Sequence, residues 1–485
     1  MAASAEVRPQ RAEPSTLTIT LVLALAAAAF ALAQTTVVPA IGDLATSLDT
    51  SSANVAWVLT GYLISAAIMT PVVGRLGDMY GKRRLILIVL VVFTAASVVA
   101  ALAPNVWVLV AARVVQGVGG GLFPLCFGII GDVLDRKARA AALGLISAIA
   151  GLGAGLGLLL GGLLVDHASW HWIFWSGAIL SGLAAAGSLL LPATGPKNVG
   201  RVDFVGLVLL AIGLTAPLLA LNKGSTWGWT SASTLGLAIA GLAVLAAFVF
   251  VETKVADPLV DVRALARPIV AVTNLATLLI GASMFGIFVL IPQISQLPEQ
   301  SGYGFGLDAT GSGLVLLPGC LGMLVAGALA GRLIGRFGGK LALLIGTVVT
   351  TVGLALLGFD HSGQAQVIAF STIVLFGVGM SLSAMPNLII DNTPAEERGQ
   401  ATGMNVLFRS LGTAIGSQVV ATIIAGSVGD GSPLPKDSAF TTSFWLAAGA
   451  SIIALIVSAA LPKSRTVDTD VSGVDTDVEG ATPVR

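Results

Sequence analysis

Charge is what this sequence has least of. Only 10% of its 485 residues are Asp, Glu, Lys or Arg, against roughly 25% in a soluble globular protein. Acids and bases balance at 25 each, so there is no basic excess to recruit nucleic acid. Cysteine is nearly absent: Cys126 and Cys320 both fall inside apolar runs, which leaves neither a disulfide framework nor a cysteine metal site. His167 and His171 stand four apart without a matching carboxylate cluster, so no metal is expected there. Gly339-Lys340 lacks the earlier glycine and the following Ser or Thr of a phosphate-binding loop. No nucleophile–base arrangement is visible, and neither an enzyme activity nor a cofactor is expected.

What fills the chain is apolar. Hydrophobic residues make up 55% and glycine contributes 59 positions, a composition suited to close helix packing in lipid. Apolar runs of roughly 20 residues, each able to cross a ~30 Å hydrocarbon layer, predict fourteen helices at about 17–39, 53–73, 85–103, 106–130, 140–165, 171–191, 203–221, 232–251, 269–292, 309–330, 341–359, 365–388, 400–424 and 440–462. The first run reaches about Pro39, too long for a cleavable signal segment. The predicted class is all-α and polytopic.

Charge, scarce as it is, is distributed unevenly. The alternate links 74–84, 131–139, 192–202, 252–268, 331–340 and 389–399, with both tails, hold 21 of the 25 Lys and Arg, whereas the opposite links hold only Lys223 and Lys436. Basic links face the cytoplasm, which puts both termini there. The acidic duplication Val467-Asp468-Thr469-Asp470-Val471 and Val474-Asp475-Thr476-Asp477-Val478 reads as a solvated, disordered tail.

The chain also repeats. Gly74-Arg75-Leu76 with Gly81 recurs 257 residues on as Gly331-Arg332-Leu333 with Gly338; Arg139, Gly144, Gly153 and Gly157 recur 259 residues on as Arg398, Gly403, Gly412 and Gly416. The organisation predicted is a tail 1–16, a six-helix bundle 17–191, a linker with two extra helices 192–268, a second six-helix bundle 269–462 and a tail 463–485. Two such repeats place a ligand site between them near the bilayer midplane. One position breaks the symmetry: Asp78 has Gly335 as its counterpart.

Gly74-x-Leu76-x-Asp78-x-x-Gly81-Lys82-Arg83-Arg84, between the second and third predicted helices, resembles the signature loop of the major facilitator superfamily. Arg113-Val114-Val115-Gln116-Gly117 resembles the fourth-helix motif of its drug/proton antiporters. Leu32-Ala33-Gln34-Thr35, Trp170-His171-Trp172-Ile173-Phe174-Trp175 and Pro258-Leu259-Val260-Asp261-Val262-Arg263 resemble the fourteen-helix branch of that family. The resemblance implies a conformational latch at Gly74, Gly77, Asp78, Gly81, Lys82 and Arg83, and proton transfer at Arg113. Gly153-x-x-x-Gly157-Leu158-x-x-Gly161-Gly162 is similar to the fifth-helix motif of exporters, with Leu158 where that motif has proline. Close packing is expected at these glycines, without a proline kink. Those transporters often carry an aspartate where Ala33 stands; here Asp43, just beyond the first helix, is the remaining candidate for proton coupling.

A charge inside a membrane helix is costly unless paired or hydrated, which singles out Arg113 and Arg409. With no carboxylate well inside any predicted helix, the cavity is expected to suit a neutral or amphipathic small molecule. Its expected lining is Gln34, Trp57, Tyr62, Gln116, Asn274, Met284, Gln293, Asn387, Asn405 and Arg409. The function implied is proton-coupled efflux of a drug-like or secondary-metabolite molecule by a monomer in a bacterial plasma membrane. The alternatives are a small-metabolite importer or uniporter and, from a different class, a non-transporting membrane receptor or scaffold.

Overall fold

The computed structural model describes residues 14–193, 203–428 and 434–462; the whole predicted tail 463–485 with its acidic duplication, and residues 1–13 of the predicted tail 1–16, lie outside them. The first set of helices comprises α1 (Thr16–Thr35), α2 (Ile41–Ser47), α3 (Ser52–Tyr80), α4 (Lys82–Ala101), α5 (Val106–Gln116), α6 (Leu122–Val133), α7 (Arg136–His167) and α8 (His171–Ser188). Next come α9 (Phe204–Trp227), α10 (Ala232–Glu252) and the short α11 (Val262–Leu265). The second set is α12 (Pro268–Gln296), α13 (Ala309–Phe337), α14 (Gly339–Phe359), α15 (Gln364–Asp391), α16 (Arg398–Gly426) and α17 (Asp437–Ala459). Among the described residues twelve spans are long and apolar enough to cross a membrane, and the bent α7 makes a thirteenth. The expected fourteenth, α8, is only 18 residues long, and its Trp170-His171-Trp172 opening lowers its hydropathy.

The glycines that repeat in sequence repeat in contact. A Cβ added at Gly153 or Gly157 of α7 would press on Ala31, Leu32 and Thr35 of α1, and one at Gly412 or Gly416 of α16 would press on Leu278 and Ala282 of α12. Each of these helices then crosses to the other set. Gly144 of α7 lies against Gly327 of α13, and Gly403 of α16 against Thr70 and Pro71 of α3. Absent side chains let the backbones approach, which is how helices associate where lipid removes the hydrophobic drive. The α4–α8 packing is likewise matched by α14–α17.

Three sequence expectations change in detail. The stretch 74–84 is not a loop: α3 runs on to Tyr80, and Gly81, at φ 91°, is the one residue between α3 and α4. Gly338, at φ 85°, does the same between α13 and α14. A side chain at that φ would be strained, so both turns need glycine. The predicted helix 106–130 is interrupted by a 3-10 turn at Gly117–Gly121. There Gly117, Gly120 and Gly121 abut Ser65, Ala66 and Val73, letting α3 pass close by. Finally α7 bends by 42° between its segments Ala138–Gly153 and Gly155–His167; flanking glycines supply the flexibility a proline would otherwise provide.

The ends of α3, α6, α13 and α15 meet the starts of α4, α7, α14 and α16 at one pole, which carries most of the described basic links; we term it the basic end. The inserted α9 packs on both α3 and α16, while α10 is largely on the outside, only 17% of its spanning window being buried.

Candidate functional site

A cavity of about 190 Å3 lies between the two helix sets. The first set lines it with Phe30 and Gln34 of α1, Thr60, Leu63, Ile64, Ala67 and Thr70 of α3, and Ala150 and Gly151 of α7. The second contributes Met284 of α12, Leu382 of α15 and the face of α16 carrying Val406, Arg409, Ser410, Thr413, Ser417 and Gln418; Leu218 and Leu221 of α9 close the flank. No lining residue is acidic. Along α16 the chain is continuously buried from Gly399 to Leu407 and then largely half-exposed. The sets are therefore pressed together toward the basic end and stand apart beyond it.

Several polar contacts hold the basic end shut. The Asp78 carboxylate accepts the backbone N–H groups of Gly399 at 3.3 Å and Gln400 at 2.9 Å. It thus caps α16 across the two sets, where the residue preceding that helix, Glu397, makes no side-chain cap of its own. Capping donors and the helix dipole both favour an anion there. Lys82 Nζ sits 2.8 Å from Asp78 and donates to Asp132 at 2.9 Å. Only 1% of Asp78 and 2% of Lys82 is exposed. Arg398 donates to the Gly131 carbonyl at 2.9 Å and lies 3.5 Å from Asp132, and Arg139 pairs with Asp391. Gln400 Nε2 donates to the Leu259 carbonyl at 2.7 Å, tying the segment after α10 to the same helix start. Burial, with Asp261 nearby, pushes the Glu397 carboxyl up from the usual range, while Arg267 pulls it back.

The sequence profile of the Major Facilitator Superfamily matches residues 23–292 and 273–483, in two successive copies. The chain belongs to that superfamily. It is 32% identical over 397 residues to an uncharacterised MFS-type transporter of Mycobacterium tuberculosis, covering 80% of this chain and 56% of that protein. It thus spans little more than half of that relative. A tetracenomycin C resistance and export protein of Streptomyces glaucescens is 29% identical over 407 residues, covering 82% of this chain and 74% of that one. Among solved structures a proton:xylose symporter superposes with a TM-score of 0.65 at 16% identity, over 92% of this chain and 96% of the symporter; at that identity the likeness speaks for the fold alone.

Within this superfamily fold the expected lining residues divide. Gln34, Met284 and Arg409 line the cavity. Tyr62 is instead buried, its hydroxyl donating to the Phe30 carbonyl at 3.2 Å. Gln116 donates to Ser97 at 2.7 Å, and Asn405 donates to Asn274 at 2.9 Å and Thr277 at 2.8 Å. Asn387 donates to the Ser383 carbonyl in its own helix. Those four amides serve packing: buried donors in a lipid-facing bundle must find protein partners. Trp57 sits under Lys223, 5.5 Å from its ring centroid, and Gln293 is exposed; neither lines the cavity. Gly153, Gly157 and Gly161 of the exporter-like motif all face α1, whereas Gly162 faces Thr310 of α13.

Arg113 is only 1% exposed and its donors are committed: Nε to the Val58 carbonyl at 3.2 Å, Nη1 to Gln116 at 2.8 Å and Nη2 to the Ala33 carbonyl at 3.1 Å. Its guanidinium also lies 3.9 Å over the Tyr62 ring. Arg113 therefore clamps α1, α3 and α5 together from outside the cavity wall. Asp43 is exposed in the first turn of α2. Of the latch residues, Gly74 abuts the Gly399 carbonyl and Gly77 abuts Leu125. Arg83 donates to the Leu189 carbonyl at the end of α8.

Two residues went unnoticed in the sequence. Asp132 and Asp391 stand 259 residues apart, in register with Arg139 and Arg398, and each pairs with the arginine of the opposite half. The repeat offset, applied to acids as well as to glycines, would have found them.

Proposed function

We propose that this chain is a proton-coupled secondary transporter that exports drug-like or secondary-metabolite molecules across a bacterial plasma membrane by alternating access. The observation that carries the reading is the cavity itself: both helix sets line it, it lies clear of the pole where they are stapled together, and its walls are mostly apolar with a few polar groups. Such lining suits small organic molecules. The basic-link asymmetry supports cytoplasmic termini and a cytoplasmic basic end, so the conformation described is the one closed to the cytoplasm. The Asp78 staple stabilises it, and its release with rotation of the two bundles would open the cytoplasmic side. Export is supported by the name of the Streptomyces relative. Of the groups associated with proton coupling, Asp43 reaches solvent and Arg113 does not, so Asp43 is the one available to exchange a proton.

The test is accumulation of a lipophilic dye by everted membrane vesicles containing the protein. Energised vesicles should concentrate the dye, and a protonophore should abolish this. Uptake that ignores the protonophore would reject the coupling; no uptake beyond control vesicles with a panel of such dyes would reject export.

A further inference from the structure

The two membrane arginines are held in opposite ways. Arg113 spends its donors on protein carbonyls and an amide. Arg409 makes no hydrogen bond or ion pair to any described residue; its guanidinium only stands 5.3 Å from the Phe123 ring centroid. Its backbone is fixed, because Gly281 of α12 lies against the Arg409 carbonyl and leaves no room for a side chain between the helices. Asn405, Gly412 and Gly416, on the same stripe of α16, hold it against α12, and the long Arg409 side chain reaches past that contact into the cavity wall. No carboxylate lines the cavity to neutralise it. An unpaired cation in a mostly apolar chamber repels cations and draws anions, and a guanidinium matches carboxylate, sulfonate or phosphate oxygens in a two-point contact.

We infer that Arg409 is the anion-binding subsite of this cavity, and that the transported molecule is an amphipathic organic anion whose acid group pairs with Arg409 while its apolar body lies against Phe30, Met284 and Leu382. This rests on the transporter reading and narrows the neutral or amphipathic molecule expected from the sequence to an amphipathic anion. The missing acid, which suggested a neutral ligand, is what leaves the arginine free for an anionic one.

The experiment uses the purified full-length protein, without a gradient, and three probes that share a naphthylmethyl body and carry a negative, a neutral or a positive group: 1-naphthaleneacetate, its uncharged amide 1-naphthaleneacetamide, and (1-naphthylmethyl)trimethylammonium. Titration calorimetry should give a Kd at least tenfold lower for the acetate than for the amide, with the ammonium weakest. R409Q should raise the acetate Kd to that of the amide and leave the amide unchanged, while R409K keeps part of the preference and guards against a folding defect. Equal affinity for acetate and amide, tightest binding of the ammonium, an equal loss of all three in R409Q, or no acetate binding at millimolar concentration would each overturn the assignment. Acetate preference with no vesicle uptake would keep the subsite and reject transport; dye uptake without acetate preference would do the reverse.

Discussion

The two halves of the molecule share a scaffold and differ in what fastens them at the basic end. Gly81 and Gly338 make the same left-handed turn. Arg83 and its counterpart Lys340 both donate to carbonyls at the ends of the helices they face, Leu189 after α8 and Ala459 in α17, where a cation also complements the helix dipole. Asp132–Arg398 and Asp391–Arg139 are mirror-related ion pairs. Asp78 and its partner Lys82 have no counterparts, Gly335 and Gly339 standing in their places. The reason lies in how α7 and α16 begin. α7 starts at Arg136 and is capped by Asp135, which accepts the Ala138 N–H at 2.8 Å. By the 259-residue offset the counterpart of Asp135 is Pro394, and α16 starts only at Arg398, nearly a turn later. Its first N–H groups are left open, and Asp78 from the opposite half meets them. One half caps itself; the other is capped by its partner, and that cap exists only while the basic end is shut.

The largest effect expected follows from this difference. Asp78→Ala removes the cap and one of the two carboxylates around buried Lys82, costing about 3 kcal/mol, the lower end for stripping a partner from a buried pair because Asp132 remains. The basic end should open: a cysteine placed at buried Ser383 of α15, whose hydroxyl donates to the Gly144 carbonyl of α7 across the two sets, should be alkylated several times faster than in the parent. Gly335→Asp restores the acid in the other half, at an exposed position with nothing within 4 Å of an added Cβ. It should change thermal stability by no more than about 0.5 kcal/mol. Equal effects from the two substitutions would break the comparison.

The next effect is steric and tests whether both crossings are equally tight. An alanine at Gly74 would place its Cβ 2.5 Å from the Gly399 carbonyl oxygen, whereas one at Gly331 would meet Ala141 Cα at 2.9 Å. Overpacking of this kind costs about 1–3 kcal/mol, and Gly74→Ala should sit at the upper end and Gly331→Ala at the lower. Thermal unfolding of the two variants checks the order, and a larger loss at Gly331 would reverse the argument.

Helices, their repeat and the special place of Asp78 were legible in the sequence because each is local: hydropathy over 20 residues, glycines at a fixed offset, one acid without a counterpart. The lining of the cavity was not. Asn405 and Arg409 are a single turn apart on α16, both polar and both inside the membrane, yet one bonds to α12 and the other faces the cavity. What separates them is the point at which α16 leaves α3, a tertiary feature with no local signature. The setting of Arg113 is hidden for the same reason: besides Gln116, its partners are the carbonyls of Ala33 and Val58, which any sequence would supply.

The smallest effect isolates the self-capped half. Asp135→Ala removes the N-cap of α7 and should cost about 1 kcal/mol, the usual value for such a cap, since the next N–H groups at that pole are near water. It should leave alkylation at the Ser383 position unchanged, because Asp135 bonds within its own helix and not to the second half. Asp78→Ala, by contrast, should couple stability to opening. If Asp135→Ala also sped alkylation, fraying of any helix at the basic end would suffice to open it. The staple would then lie in the packing of α7 against α13 and not in the carboxylate borrowed by α16.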